Sequence, residues 1–311
     1  MKEKLVVIVG PTAVGKTALS IEIAEKYNGE VISGDSMQIY RGMDIGTAKI
    51  TEEEKKGIPH HLIDILSPNE DYSVAQFQKD VQAAIRSISS RGKLPILVGG
   101  TGLYIQSVLY DYQFSKQQRD EAIQEKIEQE LEKYGVNHVY KRLKEVDPEQ
   151  AQKIHPNNTR RLIRALEVYE QTGLTLSEYQ KKQSNEMQFD AFLIGLEMDR
   201  VLLYDRINQR IDLMMEQGLL DEVEGLLNNT NENAQAMKAI GYKEFIPYFR
   251  GEQSLEETVE LLKRNSRRYA KRQFTWFKNK LPVHWYSMLP TEKDNVFQNI
   301  LHDLAGFLKE K

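Results

Sequence analysis

Eight residues near the start of the chain have the types and spacing to hold phosphate. Gly10-Pro11-Thr12-Ala13-Val14-Gly15-Lys16-Thr17 reads G-x-x-x-x-G-K-T. Glycines let a backbone curl until several N–H groups point at one anion, Lys16 adds a point charge, and Thr17 offers a hydroxyl to Mg²⁺. The context fits. Leu5-Val6-Val7-Ile8-Val9 ahead of the loop is an apolar run suited to a buried parallel strand. Behind it, Leu19, Ile23 and Ala24 have helical spacing, so the loop opens a helix whose N-terminus favours negative charge. A di- or triphosphate suits this geometry; the loop alone does not say what chemistry follows.

Other candidates stand at the ends of further strands. Glu30-Val31-Ile32-Ser33 reads as a strand running into Gly34-Asp35-Ser36-Met37-Gln38-Ile39-Tyr40. In open α/β sheets ligands bind beyond the carboxyl ends of strands, so Asp35 is placed to hold Mg²⁺, to accept a proton, or merely to cap a turn. Lys93 to Val98 reads as a strand ending in Gly99-Gly100-Thr101-Gly102, then a helix from Leu103. That second glycine turn brings backbone and the Thr101 hydroxyl near the same edge. Arg206 and Arg210, at i and i+4 on a helix expected over 204–217, share one face. His60 and His61, in a strand expected over 60–65, alternate in direction and do not suit joint metal binding; Asp64 is a weak candidate for a second magnesium carboxylate.

The elements that must position these groups alternate strand and helix, as in a doubly covered parallel sheet. Residues 115–188 break that pattern. Ile123, Ile127 and Leu131 mark one exposed amphipathic helix, a second spans 138–146, and a third spans 159–171 with Arg160, Arg161 and Arg164 off its apolar stripe. No strand signal appears there. The expected architecture is α/β, a P-loop NTPase-like parallel sheet flanked by helices, with an all-helical insertion. Residues 1–114 and 189–311 form the core and 115–188 the insertion.

Composition bounds the rest. The 311 residues include 40% hydrophobic and 28% charged, as in a globular protein with a sizeable core. With no cysteine there is no disulfide, thiol nucleophile or cysteine-bound zinc. The first strand begins at once, leaving no room for a signal peptide, and no apolar run approaches membrane-spanning length; a cytoplasmic enzyme is expected. The net charge is −4, yet the segment from Lys263 to Lys280 holds eight Lys or Arg and no acid. On a helix expected over 255–278, Arg264, Arg267, Arg268, Lys271, Arg272 and Lys278 share one side, an arc suited to a polyanion.

Two enzyme classes fit the loop. An ATP-dependent small-molecule kinase would use the insertion as a lid but leaves the basic helix unexplained. A GTPase is excluded because no N-K-x-D guanine-reading motif is present. The alternative is a transferase whose leaving group is pyrophosphate. Lys16, Thr17 with Mg²⁺, and an arginine of the 206/210 pair would stabilise the departing charge, and Asp35 would accept a proton from the attacking atom.

The phosphate loop joined to Asp35-Ser36-Met37-Gln38 resembles the tRNA dimethylallyltransferase (isopentenyltransferase) family. So do Gly57-Ile58-Pro59-His60-His61, Gly99-Gly100-Thr101-Gly102-Leu103-Tyr104, His155-Pro156-Asn157-Asn158, Ala239-Ile240-Gly241-Tyr242-Lys243-Glu244 and Tyr269-Ala270-Lys271-Arg272-Gln273. The resemblance implies transfer of a dimethylallyl group from dimethylallyl diphosphate to N6 of adenine 37 in tRNA. It implies Asp35 as the base, Thr101 beside the reaction centre, and Lys16, Thr17 and one or both of Arg206 and Arg210 on diphosphate with Mg²⁺. It also implies that Asp35 to Gln38 meet the target base and its neighbour. Arg160, Arg161, Arg164, Gly241, Tyr242, Lys243, Gln273, Trp276 and Lys278 would grip the anticodon stem-loop. Without cysteine the zinc finger of many eukaryotic members cannot form, so the chain is expected to be of the compact bacterial type, without zinc, and monomeric.

Overall fold

The computed structural model describes residues 2–114, 120–182, 184 and 186–309, with the side chains of Glu121 and Pro290 left aside. Six strands form one sheet: β1 (Lys4–Val9), β2 (Gly29–Ser33), β3 (His60–His61), β4 (Leu94–Gly99), β5 (Asp190–Glu197) and β6 (His284–Ser287). Their order is β3-β2-β4-β1-β5-β6, and every neighbouring pair is parallel. Parallel strands are covered on both faces, and Leu5 to Val9 of β1 are wholly buried.

This order decides which loops meet. β2, β4, β1 and β5 are consecutive in the sheet, so the segments leaving their carboxyl ends share one edge. Those segments carry Asp35, Thr101, the phosphate loop and the approach to Arg206. The edge is close-packed: Gly34 donates its N–H to Val98 O at 2.7 Å. At Gly10, φ is +143° and a Cβ would lie 2.5 Å from Leu196 O, so only glycine allows the phosphate loop to leave β1 beside β5.

The helices are α1 (Lys16–Tyr27), the single turn α2 (Glu52–Lys55), α3 (Val74–Ser90) and α4 (Gly102–Leu109). α5 (Glu121–Tyr134), α6 (Val136–Val146), α7 (Pro148–Lys153), α8 (Thr159–Thr172) and α9 (Leu176–Lys181) follow. Then come α10 (Arg200–Glu216), α11 (Leu219–Asn229), another single turn α12 (Ile246–Phe249), α13 (Leu255–Lys280) and α14 (Lys293–Lys309). Ser73 caps α3, and Ser254 with Glu257 closes a capping box on α13, as residues of those types should. α14 lies against the β5–β6 side, where Phe307 stacks on Phe192 with ring centroids 5.4 Å apart.

The chain divides into two compact units, Met1–Leu109 with Met187–Lys311, and Tyr110–Glu186. The sequence reading opens the insertion at residue 115, which lies with 116–119 outside the described residues. The second unit is helical, with its own core of Ile127, Val139, Leu143, Ala151, Ile154, Leu162 and Leu166. Buried Asp147 caps α7 through the Gln150 N–H at 3.0 Å and accepts from the Ser177 N–H and hydroxyl at 3.0 and 2.6 Å. Sequence spacing misses α9, which Thr175 and Glu178 close with a capping box. β3 is shorter than expected: Leu62 and Asp64 take φ of +61° and +56°, which no continuing strand allows.

Candidate active site

The phosphate loop curls because Gly10, Ala13 and Gly15 all take positive φ, +143°, +65° and +110°. Gly15 is the N-cap of α1 and has no side chain to cap the first amides of the helix, leaving N–H groups available to an anion. Lys16 folds back over the loop, donating to Gly10 O at 3.0 Å and Pro11 O at 2.7 Å. Burial, and then the charge of Arg210, bring its ammonium down to about 7, with Asp35 opposing. Arg206 donates through Nε to Ala13 O at 3.0 Å, and Arg210 reaches the Thr12 hydroxyl at 3.5 Å. The helix after β5 thus delivers both arginines to the loop. The exposed Thr17 hydroxyl makes no hydrogen bond among the described residues.

Across the edge, Asp35 is half-buried at the end of β2. Its Oδ1 accepts the Met37 N–H at 2.8 Å. Removal from water pushes its carboxyl above the usual carboxylate range, against the pull of the Met37 N–H, Lys16, the Gln38 N–H and Arg210. A carboxylate that takes a proton more readily than usual, in the field of the cations Lys16 and Arg210, suits a general base. The Thr101 hydroxyl accepts the Ser36 N–H at 3.4 Å, joining the glycine turn to the Asp35 segment. Gln38 is held through Oε1 by the Ser33 hydroxyl at 2.9 Å and through Nε2 to Thr47 O at 3.3 Å.

α13 supplies the floor. Gln273 accepts the Thr12 N–H at 3.0 Å and donates to Gly100 O at 3.1 Å. One turn earlier, the Tyr269 hydroxyl lies by Thr101 and Gln273, and burial pushes it up to about 12. Trp276 is half-buried, its indole so close to Gly102 that a Cβ there would come within 2.2 Å.

Several residues expected on an RNA-facing surface stand behind it. Tyr242 is fully buried and donates its hydroxyl to Glu222 at 2.7 Å, so it supports its neighbours while Lys243 is exposed. Gly241 is buried too, its N–H held by Glu244 at 2.9 Å. Gln273 is 5% exposed with both amide atoms committed. Lys278 pairs with Glu197 at 3.3 Å. In the helical unit Arg160 and Arg161 are exposed, whereas Arg164 is paired with buried Glu167 at 2.9 Å. α10 engages part of the basic side of α13: Asp212 pairs with Lys263 at 2.6 Å, and Asn208 accepts a hydrogen bond from Arg267 at 2.6 Å. Arg264, Arg268, Lys271 and Arg272 are exposed without a carboxylate partner among the described residues.

Asp64 takes no place in the site: it forms an ion pair with Lys49 at 2.5 Å. His60 bonds Ile58 O and His61 bonds Glu30. No group of three or more His, Cys, Asp or Glu that could hold a metal exists among the described residues. Sequence reasoning misses Glu222. Its carboxylate accepts the N–H groups of Asp44, Ile45 and Gly46 at 2.8, 2.7 and 2.9 Å, holding the loop that holds Gln38. No local signal could reveal a partner so distant in the chain. The inward turn of Gln273 was available: it lies four residues from both Tyr269 and Phe277, on the apolar side of α13.

A family model described as IPP transferase matches residues 38–280. A tRNA dimethylallyltransferase of Oceanobacillus iheyensis is 59% identical over 311 residues, covering 100% of this chain and 99% of the relative. One from Bacillus cytotoxicus is 60% identical, covering 100% and 97%. Among solved structures, the full-length tRNA isopentenylpyrophosphate transferase of Bacillus halodurans has a TM-score of 0.76 at 50% identity, covering 99% of this chain and 97% of its own. A eukaryotic dimethylallyltransferase seen acting on tRNA has a TM-score of 0.82 at 34% identity, covering 96% and 78%.

Proposed function

The chain belongs to the IPP transferase family, and we propose that it transfers a dimethylallyl group from dimethylallyl diphosphate to N6 of adenine 37 in tRNA. The observation that carries this reading is geometric: the glycine loop after β1 and the Asp35 carboxylate after β2 share one sheet edge, beside a helix that exposes Arg264, Arg268, Lys271 and Arg272. A kinase can use such a carboxylate as well, but it leaves the exposed arginines of α13 without a use.

The steps follow from the residues. The diphosphate lies against the N–H groups at the start of α1, with Lys16, Arg206 and Arg210 around it. The N6 amine attacks C1 of the dimethylallyl group, the C1–O bond breaks, and diphosphate departs with the electron pair. Asp35 takes the proton that N6 loses. The cations hold the departing charge in place, so stabilisation grows as the bond lengthens. A Mg²⁺ ion would be held by the Thr17 hydroxyl with diphosphate oxygens and water, the oxygen-rich and water-rich set that Mg²⁺ prefers, and would supply further positive charge to the leaving group.

The target adenine must leave its stack to reach Asp35, at a cost of a few kcal/mol. Phosphate contacts to Arg264, Arg268, Lys271, Arg272 and Lys243 offset it. Among the described residues no helix is long and apolar enough to cross a membrane; we place the enzyme in the cytoplasm as a monomer. Labelled dimethylallyl diphosphate with a hairpin carrying adenines at 36 and 37 should yield prenylated RNA and diphosphate. Release of orthophosphate from ATP without any alkylation of the hairpin would overturn the reading.

A further inference from the structure

Half-buried Gln38, in the segment that leaves β2, is held at both ends of its amide. Oε1 accepts the Ser33 hydroxyl at 2.9 Å, and Nε2 donates to Thr47 O at 3.3 Å and Ala48 O at 3.5 Å. The two ends do not constrain it equally. A hydroxyl donates or accepts as required, so Ser33 suits either sense of the amide, whereas a carbonyl only accepts. Thr47 O and Ala48 O therefore decide that Nε2 faces the loop. Oε1 keeps one of its two lone pairs beyond the bond from Ser33.

Those carbonyls are placed from a distant helix. Glu222 of α11 accepts the N–H groups of Asp44 and Ile45 on Oε2 at 2.8 and 2.7 Å, and that of Gly46 on Oε1 at 2.9 Å. The Tyr242 hydroxyl donates to the same Oε1 at 2.7 Å. Ala48 gives its N–H to Ile45 O and Lys49 to Asp44 O, each at 2.9 Å. The peptide joining Thr47 to Ala48 thus directs its N–H to the turn that Glu222 holds and its C=O to Gln38. The turn has little room to shift, since a Cβ at Gly46 would lie 2.5 Å from Cζ of Tyr242. Bonds from N–H groups to a carboxylate are stronger than those between a neutral amide and a carbonyl, so Glu222 sets the geometry and Gln38 conforms to it.

We propose that Glu222 is a positioning residue for base discrimination: by holding residues 44–48 it fixes the sense of the Gln38 amide, so that Gln38 offers an acceptor to the exocyclic amine of the base beside the target and opposes a keto oxygen there. This rests on the function proposed above, with Asp35 to Gln38 meeting the target base and its neighbour. Without the carboxylate three loop amides lose their acceptor, and the carbonyls of Thr47 and Ala48 are no longer held against Nε2. Ser33 accepts from a turned amide as readily as it donates to the native one. Gln38 then offers a donor or an acceptor alike, and amine is no longer told from keto oxygen.

The test compares kcat/KM for two hairpins that share the target adenine at 37 and carry adenine or inosine at 36. Inosine keeps the purine shape but places O6 where adenine has N6, and the nucleophile is untouched. The unaltered protein should favour adenine by about 10-fold or more, the scale of one lost hydrogen bond with two acceptors set against each other. Glu222→Gln keeps the shape but turns an NH₂ toward N–H groups, and its ratio should fall to near one. Glu222→Asp, which keeps the charge but withdraws it by one methylene, should also lower the ratio and carries the test where Glu222→Gln does not fold. A loss of stability alone reduces kcat/KM for both hairpins equally and leaves the ratio unmoved. A double-mutant cycle adds a further measure: Gln38→Met should itself bring the ratio near one, and adding Glu222→Gln should change it no further. A ratio near one in the unaltered protein, the parental ratio in a folded Glu222 variant, or a further change in the double variant overturns the proposal. If the adenine hairpin is prenylated, any of these removes the role of Glu222 alone; if it is never prenylated, the functional reading falls with it.

Discussion

Replacing Asp35 by Asn separates two roles for that residue by magnitude. The Oδ1 that accepts the Met37 N–H at 2.8 Å is retained in Asn, so the turn survives. What is lost as a structural contact is the difference between a charged and a neutral acceptor, about 1 kcal/mol, or roughly 5-fold. What is lost as a base is the capacity to take the N6 proton, worth about 10²–10⁴ in rate, or about 2.7–5.4 kcal/mol. Single-turnover prenylation of a hairpin, with pyrophosphate binding measured alongside, distinguishes these outcomes. Turnover should fall at least 100-fold, while pyrophosphate binds as well or tighter, because a negative charge beside Lys16 and Arg210 has gone. Stability supplies a second check. Burial raises the Asp35 carboxyl in the folded protein, so its ionised form costs stability, a cost that grows as pH rises from the unfolded value through the folded one. Asn removes it, and the variant should melt no lower than the parent at neutral pH, with the difference vanishing in acid. The parent should also lose kcat/KM on acidification at a pH above the ordinary carboxylate range. A variant that keeps more than a tenth of the parental turnover would make Asp35 a structural residue and refute the reasoning.

Other outcomes follow from the same geometry. Lys16 is held to about 7 in the free protein, so diphosphate binding near pH 7.5 should take up protons; apparent enthalpies identical in HEPES and Tris would contradict this. Arg268→Glu with Arg272→Glu should weaken hairpin binding and flatten its log–log salt dependence by about 1.5–2, two phosphate contacts being lost; an unchanged slope would remove α13 from the interface. Burial alone would raise the Glu30 carboxyl, but hydrogen bonds from Lys93 and His61 and the charge of Arg91 bring it down to about 2 from 4.5. The stability it contributes is present above pH 4.5 and lost as pH falls toward 2, and Glu30→Gln should erase that part of the acid dependence of Tm; a variant as acid-sensitive as the parent would deny the cluster this role.

Local chemistry was legible in the chain itself. The strand, curled loop and helix around Gly10 to Thr17 could be read directly because they are all neighbours in sequence. The caps of α3 and α13 are just as local, since capping depends on residues within one turn. The position of Asp35 at a strand end, the helical character of the insertion and the basic arc of α13 also followed from pattern. The tertiary structure decided what depends on residues far apart. Strand order brought the ends of β2, β4, β1 and β5 to one edge, and no periodicity encodes that order. Gln273 and Tyr242 look like surface groups in a motif, yet each turns inward because a partner from another element awaits it: the Thr12 N–H and Gly100 C=O for one, Glu222 for the other. Asp64 is drawn to Lys49 by a loop whose left-handed residues end β3 early. A side chain's type fixes what it can bond, and only the packed fold fixes which partner comes within reach.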